Sequence, residues 1–214
     1  MNDDSPSLTA AYALSSIDDN RRLYAAWSKD YDQEFALDMD YILPQNVAQL
    51  FVEHGGNGPV LDVGAGTGLL GEVLYDHCRP IDALDLSQEM LDAAAQKNIY
   101  RHLDAADVTV PIEQLGRLYD GVVSSGTFTH GHVGSDAIDN LLPLARDEAL
   151  FCLSINKHHW AEKGFETKFE SLRPKIQNLT FVDVPIYGAN ATGPNRDDVA
   201  IIAIFRKREI TPAS

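Results

Sequence analysis

Four residues at alternate positions, Asp62, Gly64, Gly66 and Gly68, carry the strongest chemical signal in the chain. They run from the short apolar stretch Val60-Leu61-Asp62-Val63 into Leu69-Leu70, so the bend joins the end of a strand to the start of a helix. Gly64 lets the chain turn sharply, and Ala65 lies on the bend beside it. Gly66 leaves the backbone bare where a ligand must approach, and Gly68 lets helix and sheet pack closely. Such a bend offers a nucleotide-like ligand a place outside the carboxyl ends of the strands. Two registers compete. Gly66-x-Gly68-x-x-Gly71 satisfies a dinucleotide fingerprint, but it starts two residues beyond the strand end. The acid-x-Gly-x-Gly-x-Gly frame from Asp62 fits the strand end better.

A second acid, Asp85, closes the next apolar run and stands just before Ser87, a helix-capping residue. His130 follows the fourth strand on the ligand side of the sheet. Its imidazole titrates near neutrality, which makes it the candidate general base. His132 and the pair His158-His159 are lesser candidates, and each also reads as an ordinary loop or packing histidine. These four have no carboxylate or thiol at supporting spacing, so no metal site is expected. Asp120 begins a strand rather than ending one and reads as structural.

The elements that must position these groups follow from periodicity and turn chemistry. Residues 1–16 read as a weakly structured or disordered tail. Asp18 or Asp19 caps a helix to about Leu37, with Tyr24, Trp27, Tyr31 and Phe35 on one face. Pro44 suits the first turn of a second helix and Gly55 its end. Strands are expected at 59–63, 81–85, 99–103, 121–124, 149–155, 180–187 and 199–205. Helices are expected at 67–77, 87–97, 135–146 and 161–172. The alternation implies an α/β fold: a doubly wound, mostly parallel seven-stranded sheet. The loop 188–195 is too short for a crossover helix, so the last two strands form an antiparallel hairpin at the sheet edge. Residues 17–210 read as a single domain, with 17–55 as an N-terminal helical lid or cap.

Composition narrows the partners. The chain has 214 residues and a formal net charge of −15, a field that repels nucleic acid and anionic lipid. Neutral or cationic small molecules fit better. No run of eighteen apolar residues exists, and the start of the chain lacks the order of a secretory signal. The two cysteines, Cys78 and Cys152, belong to no Cys-x-x-Cys pair and read as reduced thiols in a cytoplasmic protein.

The frame Asp62-x-Gly64-x-Gly66-x-Gly68 resembles the first motif of class I S-adenosylmethionine-dependent methyltransferases. Further matches follow in order: Asp85-Leu86-Ser87-Gln88-Glu89-Met90, Ala106-Asp107-Val108-Thr109, and Tyr119-Asp120-Gly121-Val122-Val123-Ser124. The likeness spans roughly 58–156. Trp27, Tyr31-Asp32 and Phe128-Thr129-His130-Gly131-His132-Val133 look like the Williams–Beuren-region methyltransferase-like proteins. The resemblance implies a Rossmann-like methyltransferase fold and the cofactor S-adenosylmethionine, with S-adenosylhomocysteine as product and no metal.

The resemblance also implies roles for individual residues. Asp85 accepts from both ribose hydroxyls, and Asp107 from the adenine amino group beside the Val108 N–H. Leu86 and Met90 pack on the adenine. Asp62 supports the methionine amino end through the glycine loop, and Ser124 of the fourth strand is a further cofactor contact. Trp27 and Tyr31 close over the site, or simply dock the first helix on the core.

Methyl transfer from a sulfonium is an in-line displacement whose leaving thioether is neutral. A base such as His130 is needed only when the acceptor carries a proton that must leave early. Methyltransferases acting on the amino groups of adenine or glutamine often carry Asn/Asp-Pro-Pro-Tyr after the fourth strand. Here Ser124-Ser125-Gly126-Thr127 stands there, which points away from those substrates. The expected activity is methylation of a small molecule by a monomer or homodimer with no nucleic-acid or membrane partner. The alternative is a non-catalytic S-adenosylmethionine-binding protein.

Overall fold

A computed structural model describes residues 39–112, 115–129 and 133–209. In chain order these form α1 (Leu43–Glu53), β1 (Val60–Val63), α2 (Leu69–Leu74), β2 (Ile81–Asp85), α3 (Gln88–Ala95) and β3 (Leu103–Ala105). There follow β4 (Tyr119–Phe128), α4 (Ala137–Leu141) with a 3-10 turn at Leu142–Leu144, and β5 (Ala145–Asn156). Last come α5 (Lys157–Glu162), α6 (Phe165–Leu172), β6 (Ile176–Pro185) and β7 (Val199–Lys207). The expected N-terminal helix, with Trp27 and Tyr31, lies outside the described residues, as do His130 and His132.

The seven strands form one sheet in the order β3-β2-β1-β4-β5-β7-β6. β1 is parallel to both of its neighbours, with Val60 opposite Ile81 of β2 and Gly121 of β4. Chain order therefore reverses between β1 and β4, and a crevice opens beyond their carboxyl ends. The hairpin expectation holds, with one addition: β7 runs antiparallel between β5 and β6, so β6 is the edge. Burial agrees, since Ala200–Phe205 of β7 are all buried while much of β6 faces solvent. No helix among the described residues is long and apolar enough to cross a membrane.

Alternation along the strands feeds two cores. On one face Leu61, Val63, Phe151 and Phe205 pack under α4 and α6, with the Phe151 and Phe205 rings stacked at 4.7 Å. On the other, Val60, Val123, Cys152 and Ile202 pack under α1 and α2. In α1, Leu43, Val47, Ala48 and Phe51 recur at helical spacing and are buried, so that face docks on the sheet. Cys78 and Cys152 are both buried free thiols.

Several boundaries differ from the sequence expectation for identifiable reasons. The expected strand at 99–103 is observed at 103–105. Asn98, with φ 55°, turns the chain, Tyr100 points back toward β1, and register with β2 begins at Leu103. The expected helix at 135–146 ends at Leu141 with one 3-10 turn, because Pro143 lacks the N–H that would continue it. Gly164, at φ 64°, divides the expected helix at 161–172 into α5 and α6. α2 is shorter than 67–77, since Gly68 in a left-handed conformation delays its start to Leu69. β4 and β5 are longer than expected, and β6 lies earlier, at 176–185.

Candidate functional site

β1 delivers the chain to Gly64, whose φ of 65° turns it over the end of β2. There the Gly64 and Ala65 N–H groups both donate to the Leu84 carbonyl, at 2.7 and 3.1 Å. A Cβ at Gly64 would lie 2.0 Å from Thr127 Oγ1, so this position admits no side chain. At Gly66 a Cβ would meet nothing within 4 Å: the bend faces open space there.

The Gly66 N–H donates to Asp85 Oδ2 at 2.8 Å, and the Ser87 N–H donates to Asp85 Oδ1 at 2.9 Å. The glycine bend and the acid at the end of β2 are thus joined directly. A carboxylate has about four acceptor positions, so these backbone N–H groups leave Asp85 acceptor capacity to spare. Burial pushes the Asp85 carboxyl up, opposed by the N–H groups of Ser87, Gly66 and Leu86. Ser87 caps α3 as expected, accepting from the Met90 N–H at 3.2 Å.

Asp62 lies under the bend with 1 % exposure. Its Oδ2 accepts from the Tyr100 hydroxyl at 2.7 Å, and its Oδ1 is buried without a hydrogen-bond partner. Burial pushes this carboxyl up to about 7; the Tyr100 hydrogen bond opposes that, Asp85 adds to it, and the Gly71 N–H opposes it. Tyr100 occupies a groove on α2 that exists because two positions lack side chains. A Cβ at Gly68 would lie 2.9 Å from the ring, and one at Gly71 2.2 Å from the hydroxyl. The dinucleotide register fails on this point, since Gly68 and Gly71 face Tyr100 rather than open space. Sequence reasoning passed over Tyr100, placing it inside a strand. The available signal was the pair of glycines three apart on one helix face, which leaves room for a ring.

The remaining candidates distribute unevenly. Ala106 N–H donates to the Asp85 carbonyl at 2.9 Å, which brings Asp107 and Val108 to the same edge as Asp85. Asp107 Oδ1 already accepts from the Thr109 N–H and hydroxyl, at 2.8 and 2.6 Å, and Val108 is 8 % exposed. Leu86 keeps exposed surface, whereas Met90 is only 2 % exposed and packs inside. Ser124 is fully buried and donates to Thr127 Oγ1 at 2.8 Å; Thr127 in turn donates to the Val63 carbonyl at 2.9 Å. Thr127, not Ser124, is therefore the hydroxyl that borders the bend.

At the carboxyl end of β4, the Tyr41 hydroxyl stands 3.4 Å from Ser125 Oγ, and the Gly126 N–H donates to Ser154 Oγ at 3.0 Å. His158 is exposed, 3.7 Å from Asp198, while His159 is 3 % exposed and 3.8 Å from Glu162. Asp120 pairs with Arg146 at 3.0 Å, a structural role as expected. The loop 188–195 is tied back by Asp40, whose carboxylate accepts from the Asn190 N–H at 2.9 Å. A separate cavity of about 330 Å³, lined by Trp160, Phe169, Phe181, Ile201 and neighbouring acids, shares no residue with the bend.

An open backbone bend flanked by two acids with unused acceptor capacity can receive paired hydroxyls at one and a cation at the other. The comparisons with known proteins bear on the fold and the domain. Residues 61–151 match the family model described as a methyltransferase domain. The fold is the one those comparisons share, that of Rossmann-like methyltransferases. No curated protein matches the sequence. Among solved structures, the N-methyltransferase NodS of Bradyrhizobium japonicum in complex with S-adenosylhomocysteine is 21% identical, with TM-score 0.56, covering 78% of this chain and 86% of that one. An S-adenosylmethionine-dependent methyltransferase of Clostridium acetobutylicum is 16% identical, with TM-score 0.58 and coverage of 87% and 99%. A putative methyltransferase of Methanococcus maripaludis is 16% identical, with TM-score 0.60 and coverage of 90% and 95%. At these identities the likeness establishes the fold, and the chain's own side chains must carry the rest.

Proposed function

We propose that this protein transfers a methyl group from S-adenosylmethionine to a small-molecule acceptor by in-line displacement. The observation that carries the reading is the 2.8 Å hydrogen bond from the Gly66 N–H to Asp85 Oδ2, which makes the bend and the acid two walls of one pocket. The residues present fit the cofactor. Asp85 has acceptor capacity left for ribose hydroxyls, and hydrogen bonds to a charged acceptor contribute roughly 1.5–3 kcal/mol each. Gly66 leaves space for the ligand, and Gly64 and Ala65 hold the bend that presents it. Asp62 has a buried oxygen without a partner, suited to the ammonium of an amino-acid group. Leu86 offers apolar surface to a base, with Asp107 and Val108 at the same edge.

When bound, the cofactor supplies an electrophilic methyl group and a neutral leaving group. The protein's part is to hold donor and acceptor in line; such orientation is worth roughly 7–11 kcal/mol in well-aligned reactions. The carboxyl ends of β4 and β5, with Tyr41, Ser125 and Ser154, border the acceptor side. His130 is the base we assign for an acceptor that must lose a proton. The charge of −15 supports a neutral or cationic small molecule over nucleic acid. Likeness to the Williams–Beuren-region methyltransferase-like proteins is part of the same proposal, resting on Trp27, Tyr31-Asp32 and the run 128–133.

Calorimetric titration with S-adenosylhomocysteine tests the reading. The wild-type protein is expected to bind, and Asp85→Ala to lose at least about tenfold in affinity while remaining folded. Equal affinity in both proteins would falsify the ribose role. Transfer of a labelled methyl group into a small-molecule extract fraction, and its absence with Asp85→Ala, tests the enzymatic step.

A further inference from the structure

We propose that Tyr100 is a positioning residue: it holds Asp62 ionised and oriented so that the carboxylate can anchor the ammonium of the cofactor's amino-acid end. This rests on the S-adenosylmethionine reading above and extends it to a residue outside the glycine motif.

The argument starts from where Asp62 sits. β1 is flanked by β2 and β4, and all four of its residues are buried. A carboxylate there has lost its hydration and reverts to the neutral acid unless something compensates. Three groups face it. Tyr100 donates from the segment before β3 at 2.7 Å, a length typical of a charge-assisted bond. The Gly71 N–H from α2 also favours the ionised form, while Asp85 from β2 disfavours it. No cation among the described residues forms an ion pair with Asp62. The hydroxyl of Tyr100 is therefore the chief group keeping the charge, and it occupies Oδ2 alone. Oδ1 stays buried and without a partner.

α2 is shaped around this bond. Gly68 and Gly71 leave the groove that lets the ring reach β1, and a methyl group at Gly71 would stand 2.2 Å from the hydroxyl oxygen. The phenol is itself pushed well above its ordinary value by burial and then by Asp62, so it remains a donor throughout the working range. With the Asp62 carboxyl pushed up to about 7 by burial against Tyr100's opposition, the anchor is charged or neutral according to pH near neutrality.

The test is calorimetric titration with S-adenosylhomocysteine, which carries the same ammonium, between pH 6 and 9. Wild type, Tyr100→Phe and Asp62→Asn are compared. Wild-type affinity is expected to rise from pH 6 to 8. In Tyr100→Phe that rise moves to higher pH, so a displacement of one unit lowers affinity about fivefold at pH 7 and most of the loss is recovered at pH 9. Asp62→Asn is expected to reduce the rise to the part that Asp85 contributes. A uniform loss across the whole range in Tyr100→Phe, or an unchanged profile, overturns the proposal. If Tyr100→Phe does not fold, the other two proteins decide: a flat wild-type profile, or a rise undiminished in Asp62→Asn, also overturns it. Absence of binding by the wild-type protein at every pH is a different failure, that of the cofactor reading itself.

Discussion

Asp62 and Asp82 stand one strand apart, both essentially fully buried, yet they are treated in opposite ways. Asp82 of β2 accepts from Arg101 through both oxygens, at 2.9 and 2.8 Å, and from the Tyr119 hydroxyl at 3.0 Å. Arg117 adds a second cation at 3.5 Å. Asp62 of β1 has one phenol on one oxygen and no partner on the other. Two guanidinium groups satisfy Asp82 in the free protein, so it holds β2 to the loop before β3 and to β4. Asp62 is left short of one partner beneath the glycine bend. A buried acid with its partners complete serves the scaffold; the incomplete set on Asp62 is what the proposed site role rests on.

The largest effect that would test this contrast is expected at Asp82. Asp82→Ala leaves Arg101, Arg117 and the Tyr119 hydroxyl without their shared acceptor and should cost about 3–5 kcal/mol in urea unfolding. A cost below about 1 kcal/mol would remove Asp82 from the scaffold.

Asp62 should make stability depend on pH. Its carboxyl moves from 3.8 to about 7 on folding, so the folded state binds the extra proton between those values. Its contribution to stability is complete below 3.8 and is lost as pH rises through about 7. The ligand-free wild type should therefore lose stability from pH 4 to pH 8, by at most about 1.4 kcal/mol per pH unit from this group. Asp62→Asn should flatten that slope in thermal unfolding. Asp85, raised in the same direction, leaves a residual slope. An identical slope in wild type and Asp62→Asn would contradict the assignment.

The smallest of the three is Gly71→Ala. The added methyl overlaps Tyr100 and should cost about 1–3 kcal/mol. It should also reproduce the displaced pH profile of Tyr100→Phe. Loss of stability with an unaltered S-adenosylhomocysteine profile would separate the packing role of the groove from the role of the hydroxyl.

Much of the fold was legible because its signals are local. Val60–Val63 and Ile81–Asp85 announce themselves as short apolar runs ended by turn residues, and Ser87 as a cap; all three stand as read. Boundaries failed where a single residue's backbone overrode the pattern, as at Pro143, Gly164 and Asn98. In the site, Gly64, Gly66 and Asp85 were readable from type and spacing. Ser124 was read as lining the pocket, but its hydroxyl is taken by Thr127, a pairing across a bulge at the end of β4 that spacing does not reveal.

Turn chemistry, helix capping and hydrophobic period act over a few residues. The sequence by itself therefore determined the alternation of strands and helices, the bend at Gly64 and the acids on either side of it. Contacts between distant segments depend on which strands lie side by side. The placement of β7 between β5 and β6, the two cations on Asp82, and the Tyr100–Asp62 bond across 38 residues of chain were decided only by the tertiary structure. The physical reason is that a buried charge takes its character from whatever the fold packs against it, and no local spacing encodes that.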